Sequence, residues 1–281
     1  MNTPFTRRTL ATAAALLPAA GLFTTASAET SGDSTFVRIT RSKVLRIAVL
    51  PGEAPYFFKD IVTGGWSGAA IEMARSIAHV WDAKLEYVES TYGNSVLDLQ
   101  SDKVDLAFAL NPTPERALSI GFTHPLIVHP YGCLAKGGLA PKTWSDINRP
   151  ELRVAFDIGS LHDTCAHRFT PKAQLLGFPN RDSATLALQS GRADVLIQAA
   201  LLGLATIARN PSLGPYHLLT GPLVALPTSL GVRREADTRF VEVLNAWLDF
   251  NRGIGQIREW MLNGLEKLGV RPDDLSPEIT F

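Results

Sequence analysis

Two segments of this chain occur twice, and that duplication limits the folds open to it. "LRIAV" at residues 45–49 returns as "LRVAF" at 152–156, and "LDLQSDKVD" at 97–105 returns as "LALQSGRAD" at 186–194. In each copy the first segment is a short β-type run entering a loop. The second is a short helix, a turn, and an aspartate (Asp105 or Asp194) leading into a continuous apolar strand, "LAFAL" or "VLIQA". Strands apolar along their whole length suit a parallel sheet covered on both faces. Between the repeats, "AAIEMARSIAHVW" sets Ile71, Ala74, Ala78 and Trp81 on one helical face, and "KLEYVES" follows as a strand. In the second half a helix after Ser160 precedes "QLLGF". A β-α-β-α-β order in both halves predicts an α/β protein of two Rossmann-like lobes, each with a central β-sheet. A single duplication indicates paired lobes instead of a solenoid.

The chain must also pass between the lobes. "PYGCLAKGG" (130–138) reads as a short extended crossing and "ALPTSLGVRREAD" (225–237) as the return. These place hinges near 131–137 and 225–231. Residues 43–132 with 228–281 form the first lobe and 137–224 the second. Two amphipathic helices, around 238–250 and 254–268 and separated by Gly253, close the chain. Two crossings let the lobes hinge about a cleft.

The chain has 281 residues, 46% hydrophobic and 19% charged, the balance of a globular protein with real cores. Residues 1–28 are set aside as a cleaved export signal. Paired Arg7 and Arg8, an apolar run from Leu10 to Phe23 and an Ala-Ser-Ala ending at Ala28 carry that reading. The twin arginine beside Thr6 and Thr9 resembles a Tat signal, which implies a periplasmic location. A transmembrane anchor is the weaker alternative, because no run approaches the ~20 apolar residues needed to span a bilayer. Removing the signal takes only two of 27 basic side chains, set against 27 acidic ones. A near-neutral chain with no basic run argues against nucleic-acid binding. Cys133 and Cys165, the only cysteines, read as two buried free thiols; a disulfide stays open, since exported proteins meet an oxidising environment.

The stretch "NPTPERALSI" (111–120) reads as a helix start, with Thr113 as cap, Pro114 at the first position and Glu115 at the positive end. Arg116 lies in the same first turn, where the helix dipole mildly disfavours a cation. Either it is a solvated surface arginine, or an anion from outside the chain meets both the arginine and the helix end.

The runs "LRIAVLPGEAPYFF", "GWSGAAIEMARSIA", "LQSDKVDLAFALNPTPERALSIGFTHPL" and "ALQSGRADVLIQA" together resemble the family 3 bacterial extracellular solute-binding proteins. The likeness extends from about residue 43 to 268. It implies a type II periplasmic binding protein fold that traps a small carboxylate or amino-acid-like ligand between its lobes and delivers it to an inner-membrane ABC permease. No cofactor and no metal are expected, and the molecule is a monomer by default. By resemblance, Arg116 forks onto the ligand's carboxylate, as a guanidinium can and a lysine cannot. Gly159 and Ser160 of "DIGSLHDT", just before a helix, would offer opposing donors. Tyr92 would be an aromatic wall, or else a half-buried surface tyrosine; Asn111 a polar contact, or a residue bonding its own turn. His162 would reach a ligand or solvent. Tyr56 reads as packing and Trp66 as a loop residue.

One departure stands out. The family's amino-acid receptors hold the ligand's ammonium with a carboxylate beyond the second Gly-Arg-x-Asp run, but here that position is Ala199, next to Gln198. A sealed ammonium without a counter-charge is costly. The expectation is therefore a carboxylate lacking an α-ammonium. The competing reading has Glu53, in "PGEAPYF", supply the missing charge from the other lobe.

Two further classes are weighed. Periplasmic cyclohexadienyl dehydratases resemble this chain through "INRPELRVAF" to "NPSLGPYHLL", but their catalytic glutamate falls in "QAALLGLA", which has no acid, so no enzyme is expected. A periplasmic accessory or sensor protein would share the lobes and differ in its surface. The cluster "HDTCAH" (162–167) holds metal-ligand residue types, but histidines five apart do not share a helical face.

Overall fold

The computed structural model describes residues 32–281, so the expected export signal at 1–28 lies outside the described residues. The first half lays down α1 (Thr35–Ser42), β1 (Val44–Val49), a small hairpin of β2 (Phe58–Lys59) and β3 (Trp66–Ser67), and α2 (Ala69–Val80). It continues with β4 (Lys84–Glu89), α3 (Tyr92–Gln100), β5 (Leu106–Leu110) and α4 (Pro114–Ser119), and ends in the long β6 (Ile120–Ala135). The second half contains α5 (Trp144–Ile147), β7 (Arg153–Asp157), α6 (Leu161–Phe169), β8 (Gln174–Phe178), α7 (Arg181–Gln189), β9 (Val195–Ala199), α8 (Ala200–Arg209) and β10 (Tyr216–Leu218). The return strand β11 (Ala225–Arg233) and helices α9 (Arg239–Gly253) and α10 (Gln256–Glu266) complete the chain.

Both repeats take the same form. β1 runs parallel to β4 and β5, and β7 runs parallel to β8 and β9, in strand order β4-β1-β5-β11-β6-β9-β7-β8. The duplicated arginine and aspartate find each other in each copy. Asp105 accepts from the Arg46 backbone N–H (2.8 Å), Nε (3.2 Å) and Nη2 (2.6 Å). Asp194 accepts from the same three donors of Arg153 at 2.9, 2.9 and 2.8 Å. A carboxylate taking both a backbone and a forked guanidinium donor ties the start of one strand to the entry of the next. The turn between helix and aspartate needs a left-handed residue, and the copies meet that need differently: Asp102 at φ 58° in one, Gly191 at φ 70° in the other.

The segments expected as extended crossings are strands: 130–138 opens as the far end of the 16-residue β6, and 225–237 opens as β11. The reason is continuous pairing. β6 bonds β11 along Ile120–Pro130, then β9 and β10 along Tyr131–Ala135, so its backbone groups never run out of partners. The break between the last two helices also moves. Gly253 ends α9, and the reversal falls on Gly255 at φ 80°.

One core joins β1, β5, α2, α9 and α10 through Ile47, Ile71, Met73, Phe108, Leu248 and Met261. In the second half Val154, Ile197 and Cys133 pack on one sheet face, and Ala155, Leu196 and Leu188 on the other. Cys133 and Cys165 are buried free thiols; burial pushes the Cys165 thiol up to about 12. No helix among the described residues is long and apolar enough to cross a membrane.

Gly132 sits where β10 crosses β6, and a Cβ there would lie 2.1 Å from the His217 carbonyl oxygen and 2.7 Å from the Tyr216 hydroxyl. Backbone cannot retreat as a side chain can. Gly132→Ala is therefore expected to lower unfolding free energy by about 1–3 kcal/mol, read by urea denaturation. An unchanged midpoint would show that β10 does not press on this strand.

Candidate functional site

The parallel strands β1, β4, β7 and β8 all end at one crevice, the place where open α/β sheets present their ligand sites. A cavity of about 310 Å³ lies there. Glu53, Glu89 and Tyr92 come to it from the first half, and Asp157, Arg181 and Asp182 from the second. Beside it is a narrower slot of about 10 Å³ lined by Tyr56, Asn111, Arg116, Tyr131, His162 and Ala199 among others. Tyr92 borders both spaces.

Arg116 reaches across this crevice. Its Nη1 donates to the Asn111 carbonyl (3.1 Å) and its Nη2 to the Gly159 carbonyl of the other half (2.7 Å). It makes no ion pair with an acidic side chain among the described residues, and burial lowers its pKa. It is thus a cation in the slot, held only by backbone oxygens.

The helix ends expected to help it do not. α4 has six residues, and the Arg116 N–H is already taken by the capping Thr113 hydroxyl. Across the crevice, the Ser160 hydroxyl donates to the Asp157 carbonyl (2.8 Å) and caps α6 by accepting from the His162 and Asp163 N–H groups. The Gly159 N–H donates to the Asp163 carboxylate (3.0 Å). The expected facing nest is occupied internally, because a buried helix start must satisfy its own donors first.

The remaining expected residues fall as follows. Asn111 lines the slot, with its amide spent on the Pro227 carbonyl (2.8 Å) and the Tyr131 hydroxyl (3.3 Å). His162 neither points to solvent nor offers a vacant nitrogen. Its Nε2 accepts the Ala199 N–H (3.0 Å), so the proton resides on Nδ1, facing the Ser160 hydroxyl (3.0 Å) and Asp157 (3.1 Å). Burial lowers its pKa and keeps it neutral. Gln198 is absent from both spaces: side chains alternate along β9, so Ala199 lines the slot while Gln198 points to the opposite face. Tyr56, expected as packing, is 1% exposed, lines the slot, and its hydroxyl lacks a hydrogen-bond partner among the described residues. Tyr92, at the first position of α3, is buried, which removes the reading as a half-exposed surface tyrosine.

The centre of the crevice is a residue that the sequence reading passed over. Arg181, 2% exposed, places Nη2 2.8 Å from Asp157 and 3.7 Å from Glu53, so it stands between carboxylates of the two halves. Its Nε and Nη1 have no hydrogen-bond partner among the described residues, and neither does Glu53 Oε2. The signal for it was present. Arg181 is the first residue of α7 behind the Asn180 cap, a cation at the positive end of a helix, the same anomaly that singled out Arg116.

Burial pushes the Glu53 carboxyl up to about 7, against the pull of Arg181. Burial also raises Asp157, but Arg181 and His162 outweigh it and hold that group below the usual carboxylate range. From the ordinary 4.5 to about 7, folded Glu53 keeps a proton that the unfolded chain has lost. Its contribution to stability is therefore complete below 4.5 and disappears as pH rises through about 7. Glu53→Gln should flatten the stability–pH curve in that window, measured as the urea midpoint across pH. An unchanged slope would place Glu53 in water.

This pairing of a two-halved α/β fold with a polar crevice at the strand ends defines a solute-binding protein of the type II periplasmic binding class. A family model for bacterial extracellular solute-binding proteins, family 3, matches residues 45–261, and the chain belongs to that family. Family members bind amino-acid ligands and work with ABC transporters, and most are not enzymes. The chain is similar to cyclohexadienyl dehydratase of Pseudomonas aeruginosa, 25% identical over 245 residues, which covers 83% of this chain and 87% of that one. It is also similar to the virulence sensor protein BvgS of Bordetella pertussis, 28% identical over 224 residues. That match takes 75% of this chain but spans only 17% of the sensor's length. The crystal structure of the ancestral amino acid-binding protein AncCDT-1, a precursor of cyclohexadienyl dehydratase, superposes with a TM-score of 0.73 at 26% identity. It covers 81% of this chain and all of that chain.

Proposed function

We propose that this protein is an exported periplasmic receptor that closes two lobes over a small carboxylate or amino-acid-like solute and presents it to an inner-membrane ABC permease. The lobes are residues 43–132 with 228–281 and residues 137–224, and β6 and β11 are the connections about which they hinge. The observation that carries this reading is Arg116, a guanidinium in the crevice held by carbonyls of both halves and by no carboxylate. A ligand carboxylate accepts from such a fork more strongly than neutral carbonyls do. Closure is then a population shift set by contacts that exist only with both lobes engaged. Thermal-shift screening of the purified protein against amino acids and simple carboxylates tests it. A binder raises the melting temperature by mass action, and a flat response across the whole panel counts against a solute receptor.

A lyase is the second reading, and one observation favours it beyond the dehydratase likeness: Glu53 is a buried carboxyl raised to about 7 within the crevice. α8, where those enzymes place their acid, has none in "ALLGLATIAR". Incubation with a cyclohexadienyl substrate and ultraviolet detection of an aromatic product would establish the lyase; no absorbance growth leaves the receptor.

A further inference from the structure

A groove of about 700 Å³ lies on the side of α8 away from the crevice. The helix itself separates the two spaces. Ala199 and Leu202 line the Arg116 slot, whereas Ala200, Leu204 and Ala208 line the groove. At about 100° per residue, Leu202 stands about 200° round the helix from Ala200 and from Leu204, on the opposite face. The facing wall of the groove is the segment after α10, with Val270 and Leu275. The two walls are fastened to β6 on either side of the crossing. Thr280 and Val128 exchange backbone hydrogen bonds, both 2.8 Å, which ties the C-terminal segment to the first-lobe part of β6. β10, which carries Tyr216 into the groove, pairs with Gly132, Cys133 and Leu134 beyond it. Both lobes therefore wall the groove, as both wall the crevice. Its lining is apolar and incompletely covered, with Leu204, Ala208, Tyr216 and Leu275 half-buried.

We infer that this groove is the opposing arm of the hinge, a counterweight that narrows as the crevice opens and so sets how far the empty receptor closes. The inference rests on the receptor reading and deepens it by naming what resists closure. α8 joins β9 to β10 and moves with the second lobe. When its slot face withdraws from Tyr56 and Arg116, its other face advances on Val270 and Leu275. Opening then buries the apolar lining of the groove, which favours the open form. In the structure the two arms stand at opposite extremes. Arg116 reaches the Gly159 carbonyl at 2.7 Å and the slot is reduced to about 10 Å³, while the groove is wide. Apparent affinity scales with the closed fraction, so the groove walls tune solute binding without touching the solute.

Two changes should shift the balance toward closure. Ala208→Trp fills the groove so that it cannot narrow, and Leu275→Ser removes apolar surface whose burial drives opening. Pulsed electron paramagnetic resonance on the purified, solute-free protein reads the result. Spin labels at Leu97→Cys on α3 and Leu186→Cys on α7, positions 62% and 55% exposed, report one from each lobe, and the native Cys133 and Cys165 are buried. Each change is expected to raise the short-distance population about threefold or more. Leu275→Ser, on the other wall, carries the test should the tryptophan disturb folding. Val80→Trp, at the exposed end of α2 and outside the groove, should leave the distances unchanged. Long distances in the wild-type protein that neither groove variant shortens overturn the inference and leave the receptor standing. A shift to longer distances in Ala208→Trp, or an equal shortening in Val80→Trp, does the same. One sharp short distance in every protein would show lobes that never part, and sinks both readings.

Discussion

Arg116→Ala is expected to weaken solute binding by more than about 100-fold while leaving the molecule folded. The two effects separate because of where the guanidinium spends its donors. Its side chain touches the Asn111 and Gly159 carbonyls, and α4 buries none of its six residues. Losing two hydrogen bonds in a partly exposed crevice costs about 1–2 kcal/mol, a few degrees in melting temperature for a chain of this length. A ligand carboxylate in a closed cleft loses water as well as the arginine, and the affinity bears the full cost. Arg116→Lys should fall between, keeping a charge but losing the fork. Calorimetric titration of the best binder from the thermal-shift screen decides it. Undiminished affinity in Arg116→Ala would show that the solute binds elsewhere.

Arg181→Met should be the more damaging change to the fold. It removes the cation between Asp157 and Glu53, both buried, and leaves carboxylates without compensation in an apolar surrounding. Breaking such a buried pair costs about 3–5 kcal/mol, readable as a drop in the urea midpoint at pH 7.5. The loss should shrink as pH falls and first Glu53, then Asp157, takes a proton. The triple variant Glu53→Gln, Asp157→Asn, Arg181→Met should recover most of the stability, because neutral groups of similar volume remove the charge imbalance instead of exposing it. A loss under about 1 kcal/mol in the single variant would mean that water reaches these carboxylates and that the crevice is open.

Much of the fold was legible because it is written in local patterns. Ile71, Ala74, Ala78 and Trp81 share a helical face and are all buried in the same core. "LAFAL" and "VLIQA" become fully buried central strands, and Thr113 caps α4 by accepting the Arg116 N–H. The repeat marked Asp105 and Asp194 as leading into equivalent strands, and the structure adds that each clamps an arginine of its own copy, Arg46 or Arg153. The site was less legible. Arg116 was found from a cation misplaced in a helix's first turn. Arg181 showed the same signal and was missed, since nothing in its neighbourhood names partners 24 and 128 residues earlier in the chain. His162 and Ser160 were singled out as ligand contacts, and in the structure they bond within the protein. Their polar atoms serve each other, Asp157 and the Ala199 backbone.

The residue pattern by itself determined the two-fold duplication and the strands and helices within it, and it singled out the arginine at residue 116 as a candidate. These follow from periodicity and capping, which act over a few residues. Tertiary structure alone decided that β6 would pair first with β11 and then with β9 and β10. It alone sent Gln198 away from the crevice and Ala199 into it, and brought Glu53, Asp157 and Arg181 to one point. Such meetings depend on strand order and on which of two faces a side chain occupies, and a shift of one residue reverses the face without changing the local pattern at all.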